Sequence, residues 1–150
     1  MKAIKYIPQE INLDVTEVTI PSIEEIKKIK MNFDIDCDCT WWLRPSGNNS
    51  HNVPYITDLR DVFETDLYVH FEYGVRPLLR ITNLESSNLK LGDKIEIFGE
   101  KFTIVLEGRA LADSVVGYSA FRKDWRAEDA NDYEKSDLKS WLENWRADND

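Results

Sequence analysis

Apolar and polar positions alternate through much of this chain, and where the alternation stops a turn residue or a helical spacing takes over. Residues 11–20 (Ile-Asn-Leu-Asp-Val-Thr-Glu-Val-Thr-Ile) keep the period of two of a half-buried strand. A slip at Thr16 predicts one strand with a bulge or two short ones. Pro21 ends this run. Ser22, with Glu25 three residues later, forms a capping box that opens a helix over 23–30 carrying an Ile23, Ile26, Ile29 stripe. Trp41 and Trp42 read as a short strand. Residues 53–57 and 67–73 read as strands on either side of the acidic connection Asp58-Leu59-Arg60-Asp61-Val62-Phe63-Glu64, and 75–81 as a further strand. A polar connector at 83–88 and a turn at Leu91-Gly92-Asp93 precede the clearest hairpin, 94–98 with 101–107 around Gly99-Glu100; 110–116 adds a third strand. Ser136 is a helix N-cap, and Leu138, Trp141, Leu142 and Trp145 follow at i, i+3, i+4 and i+7. The pattern predicts an α+β fold: mainly antiparallel sheet, a short helix in the N-terminal half and an amphipathic C-terminal helix. The length suits one domain over 1–150, with a sub-boundary only near 83–91.

Composition agrees with a packed globular chain, at 42% hydrophobic and 31% charged residues. No apolar run reaches bilayer length and the first residues lack the apolar core of a secretion signal, so a cytoplasmic location away from membranes is expected. Cys37 and Cys39, the only cysteines, stand too close in sequence for an easy mutual disulfide, which suits a reducing compartment. The net charge of −9 argues against direct nucleic-acid binding, because phosphate contacts need clustered cations. Eight acidic residues against two arginines concentrate the acidity in 31–72.

Asp36, Cys37, Asp38 and Cys39, with His51 and His70 downstream, match no zinc spacing. Asp34, Asp36 and Asp38 lack the glycine and the later glutamate of a calcium loop, so neither metal nor cofactor is expected. Cysteine–histidine sets and carboxylate pairs such as Asp61 with Glu64 show no spacing that favours catalysis, and the six glycines form no phosphate loop. A non-enzymatic role follows. Arg44 and Arg76 each lie inside an apolar segment beside a proline. They read either as structural arginines, paired with a buried carboxylate or loop carbonyls and stacked on the aromatic scaffold of Trp41, Trp42 and Tyr73, or as a clamp for an anion. Trp125, Trp141 and Trp145 read as core before they read as a binding platform.

The segments Trp41-Trp42-Leu43-Arg44-Pro45-Ser46-Gly47 and Gly74-Val75-Arg76-Pro77 resemble the signature of an uncharacterised domain family borne by bacteria and prophages, in which a Trp-Trp-Leu-Arg-Ser-Pro-Gly strand and loop is followed by Gly-Val-Arg-Pro. Pro45 and Ser46 stand in swapped order here. The likeness continues through Gly92-Asp93-Lys94, the hairpin to Leu106, Gly117 to Trp125 and Ala127 to Asp137. It implies a compact α+β domain, distantly like C-type lectins, common on mobile elements and without catalytic residues to carry over. Between the two motifs this chain is more acidic and more apolar than the family pattern, which marks a variable surface.

The resulting expectation is a protein-interaction module that presents residues 48–66, with Asp58, Asp61, Glu64 and Asp66 as the contact residues, to a protein partner. One alternative is an acidic antagonist of a host nuclease, of anti-CRISPR or anti-restriction type, seated in a basic nucleic-acid channel. A second is a small-ligand or enzymatic domain built on Arg44 and Arg76, which requires a concave pocket beside them.

Overall fold

A computed structural model of the chain describes residues 13–35, 39–45, 52–57, 61–65 and 68–149. In chain order its elements are β1 (Val15–Thr19), α1 (Ile23–Lys30), β2 (Trp41–Trp42), β3 (Val53–Ile56), β4 (Val62–Thr65), β5 (Glu72–Val75), β6 (Leu78–Ile81), β7 (Lys94–Ile97), β8 (Glu100–Leu106), β9 (Arg109–Ala112), β10 (Gly117–Ala120) and α2 (Asp137–Asn149). Short 3-10 turns occupy Glu85–Ser87 and Tyr133–Lys135. The fold is α+β, with a C-terminal helix and two five-stranded sheets.

The first sheet runs β1-β6-β9-β8-β7 and is antiparallel throughout. The second runs β10-β5-β2-β3-β4 and is antiparallel except for the β2–β5 pair. The slip at Thr16 is a register shift between Val15 and Glu17, a bulge in one continuous strand. The capping box is complete: Glu25 N donates to Ser22 Oγ at 3.2 Å and Ser22 N donates to Glu25 Oε1 at 3.0 Å. Ser136 likewise caps α2, its Oγ accepting from Lys139 N at 3.0 Å.

Strands in both sheets bury both faces, which explains why adjacent residues are equally hidden. Trp41 and Trp42 point in opposite directions, each almost without exposure. Trp41 joins a cluster with Ile26 and Ile29 of α1, Leu78 and Leu111; Trp42 joins a second with Leu79, Phe102, Phe121 and Leu138 and Leu142 of α2. Leu78 and Leu79 divide between the two clusters in the same way. Full burial of such side chains contributes about 1.5–3 kcal/mol each, so the two clusters carry most of the fold's apolar stabilisation.

Several boundaries differ from the sequence expectation, each for a physical reason. The acidic connection contains strand β4, closed onto β3 as a hairpin with Tyr55 opposite Phe63 and with Thr57 N donating to Asp61 O at 2.9 Å. Its β-forming residues Val62, Phe63 and Thr65 outweigh the acidity of the neighbouring positions. Of the strand read at 67–73, residues 68–71 form a turn, Phe71 N donating to Tyr68 O at 2.9 Å, and Glu72 and Tyr73 open β5. The strand read at 75–81 is two strands in different sheets, broken where Pro77 offers no N–H and the Arg76 side chain is drawn inward. The strand read at 110–116 stops at Ala112: Asp113 still reaches β8, its N–H donating to Lys101 O at 2.9 Å, but by Val116 the chain has crossed to the other sheet, Val116 N donating to Val75 O at 2.9 Å. Residues 117–120 then form β10 in the other sheet. The hairpin turn is Phe98-Gly99, with φ of 55° and 76°, rather than Gly99-Glu100. Phe98 is held in that unfavourable region with its ring edge-on to Trp145 at 5.6 Å.

Candidate functional site

The two arginines that the sequence brings forward have different surroundings. Arg76 is 4% exposed. Its Nε donates to Ala112 O at 2.7 Å, Nη1 to Ile35 O at 3.0 Å and Nη2 to Asp113 O at 3.3 Å, while the guanidinium lies 5.0 Å from the Trp41 ring centroid. It therefore holds together the end of β9, the segment after α1 and the crossing between sheets. Arg44 is half-buried and faces a cleft.

That cleft has a volume of about 480 Å³ and is bounded by β1, β6, β9, the first turn of α1 and the segment that leads into α2. At its floor Glu25, 9% exposed, accepts from Arg44 Nη2 at 2.9 Å on one oxygen and from Arg109 Nη1 at 2.7 Å on the other. Arg44 Nη1 also donates to Thr19 Oγ1 at 3.1 Å and Ile20 O at 3.2 Å. Glu17, Arg80 and Arg109 stand opposite one another across β1, β6 and β9. Tyr133 directs its hydroxyl into the interior, where the oxygen is buried beside the Thr19 hydroxyl and has no geometrically formed hydrogen bond. Burial pushes the Tyr133 phenol up, offset in part by the Thr19 hydroxyl and by the Arg44 and Lys139 charges. Lys139 is bound to Glu134. Arg76 does not line this cleft, so the two arginines do not form one clamp.

A second feature lies on the β4 side of the second sheet. Phe63, Tyr55, Tyr73 and Phe71 follow one another at ring-centroid distances of 6.0, 5.3 and 6.2 Å, anchored on the buried Trp42, whose centroid is 4.6 Å from that of Tyr73. From Phe71 the series branches to Tyr68 at 4.9 Å and, through His70, to Trp125. Phe63 is 50% exposed, Tyr68 48% and Phe71 43%. Burial, and then the neighbouring Tyr55 and Tyr68 phenols, push the Tyr73 phenol up. Asp61, Glu64 and Glu72, all exposed, alternate in sequence with these rings.

The expected contact residues divide accordingly. Asp61 and Glu64 flank Phe63 at the sheet edge, whereas Asp58 and Asp66 lie outside the described residues, as do Asp36, Cys37, Asp38 and His51. Trp41, Trp42 and Tyr73 belong to the scaffold, and Tyr73 also reaches the exposed series. Among the described residues no group of three metal-ligating side chains converges. Sequence reasoning did not single out Tyr55, Tyr68 or Phe71, nor Arg80, Arg109 and Tyr133; it read Glu25 only as a cap. Nothing in a linear pattern distinguishes these positions from ordinary strand and turn residues. Comparison with protein-family models, with curated proteins and with solved structures found no match.

Proposed function

We propose that the protein is a non-enzymatic interaction module that docks a basic, extended segment of a protein partner on the aromatic face beside β4. The observation that carries this reading is the run of exposed rings from Phe63 to Phe71 and Tyr68, with Asp61 two residues from Phe63 and with the exposed Glu64 and Glu72 on the opposite side of the same strands. Tyr and Phe supply rigid contact area at low conformational cost, and their faces attract arginine and lysine. The carboxylates select the same cations and repel acidic competitors. Among the described strands β4 pairs with β3 alone, and among the described residues its outer edge can take strand addition by an extended peptide. A basic nucleic-acid-handling enzyme, the partner of a nuclease antagonist, is one identity that this chemistry accommodates. No helix among the described residues is long and apolar enough to cross a membrane, and no membrane role is proposed.

Selection from a random displayed-peptide library tests the reading. The wild type is expected to enrich peptides rich in Arg and Lys with interspersed apolar residues, released by high salt. The double variant Phe63→Ser, Phe71→Ser is expected to enrich none of them while keeping its melting temperature, both side chains being about half exposed. Enrichment of acidic or purely apolar peptides, or equal retention by the double variant, would sink the proposal.

A further inference from the structure

We infer that the cleft above Glu25 is a binding site for the carboxylate of a small organic acid, with Arg80, Arg109 and Tyr133 as its principal ligand contacts. The cleft has unfilled hydrogen-bond capacity and shares no residue with the aromatic face. Glu25 is already engaged on both oxygens, one serving Ser22 N and Arg44 and the other Arg109. Arg109 makes only that contact among the described residues, which leaves most of its N–H groups without an acceptor. The Arg80 guanidinium, beside it on the next strand, makes neither an ion pair nor a hydrogen bond among the described residues. Tyr133 adds a buried hydroxyl without a bonding partner, and a group of that kind in a native interior calls for an explanation. Two guanidinium forks with spare donors line one cleft, and a buried phenol stands in its wall.

The charge count and the walls narrow the acceptor. Arg44, Arg80, Arg109 and Lys139 line the cleft against Glu17, Glu25 and Glu134, an excess of one positive charge in a chain whose net charge is −9. A monoanion matches that excess, whereas a phosphate dianion would over-fill it next to Glu17. Val18 and Leu78 contribute apolar wall, which suits an acid with a hydrocarbon body, and a volume of about 480 Å³ admits a molecule of that kind. Glu25 takes the positioning role: by bridging Arg44 and Arg109 it fixes the direction in which the Arg109 fork points.

Amide-resolved NMR titration of the full chain with benzoate, benzamide and inorganic phosphate tests the assignment. Benzoate should give saturable shifts at 17–19, 80, 109 and 133, benzamide none, and phosphate weaker ones. Arg80→Ala, a change at an exposed position, should weaken benzoate about tenfold, the loss expected of a charged hydrogen bond. Tyr133→Phe should weaken it several-fold with no fall in melting temperature, because the hydroxyl it removes has no partner in the unliganded protein. If benzoate shifts no resonance more than benzamide does, if phosphate binds more tightly than benzoate, or if both variants bind benzoate like the wild type, the site is not what we infer. A Tyr133→Phe protein that melts well below the wild type would assign the hydroxyl to the fold and overturn its ligand role.

Discussion

The Glu25 carboxylate completes the cap of α1 and neutralises two guanidinium groups from other parts of the chain. It is nearly buried, and its partners keep only about a third of their side-chain surface, at 30% for Arg44 and 32% for Arg109. Glu25→Gln preserves the shape and an acceptor for Ser22 N but leaves both arginines without a counter-charge. Removing one partner of a buried pair costs about 3–5 kcal/mol; partial solvent access at the arginines lowers the expected loss here to about 2 kcal/mol, read as a shifted midpoint in urea denaturation. Tyr133 gives a prediction in pH. Its folded-state phenol titrates above the ordinary value, so the folded chain holds a proton that the unfolded chain releases at roughly pH 10. Stability from this source is complete below that pH and falls as pH rises from there toward the folded-state value. Tyr133→Phe should therefore flatten the alkaline limb of the stability–pH curve and leave the region near neutrality unchanged, as followed by denaturation at pH 7 to 11.

At the scale of elements, the seating of α2 depends on a missing side chain. Trp141 lies directly over Gly117 at the start of β10, where any Cβ would collide with carbons of the indole ring. Gly117→Ala forces that ring away from its packing against the larger apolar cluster, and overpacking of this kind costs about 1–3 kcal/mol. Thermal denaturation of the variant, with Ala110→Gly as a control for general core damage, measures it. The same element shows what was legible beforehand. The capping box, the Leu138–Trp145 stripe and the 94–107 hairpin are local signals that need no partner to be read, and α1, α2, β7 and β8 stand where those signals put them. β10 and the break between β5 and β6 are set by partners distant in sequence, which alternation alone does not show, whereas in β4 the acidic residues masked a local hairpin with β3. The cleft was illegible for the same reason: Arg109 reaches Glu25 across 84 positions, and the sequence displayed Arg44 without its two companions. The aromatic face was hidden differently, because exposure of a strand tyrosine depends on what the opposite layer fails to cover.

For the whole molecule, the deciding fact is how many of its contacts close long loops. β1 pairs with β6, Arg146 near the end of α2 donates to Val15 O at 2.8 Å, and Trp42 Nε1 reaches Ser119 O at 2.9 Å. Only Arg76 and Pro77 separate β5 in one sheet from β6 in the other, and the Arg76 side chain fastens that junction to the end of β9 and the segment after α1. So short a link acts as a mechanical fuse: neither sheet can open without dragging the other, although each has its own hydrogen-bond ladder. Native-state hydrogen exchange should therefore report one opening free energy shared by the amides of β5 and β6 and equal to that of global unfolding, reached through slow refolding in the millisecond-to-second range of non-local topologies. Two distinct exchange classes for those neighbouring strands would mean that the link gives way, and that the sheets are separate cooperative units joined by a hinge at a proline.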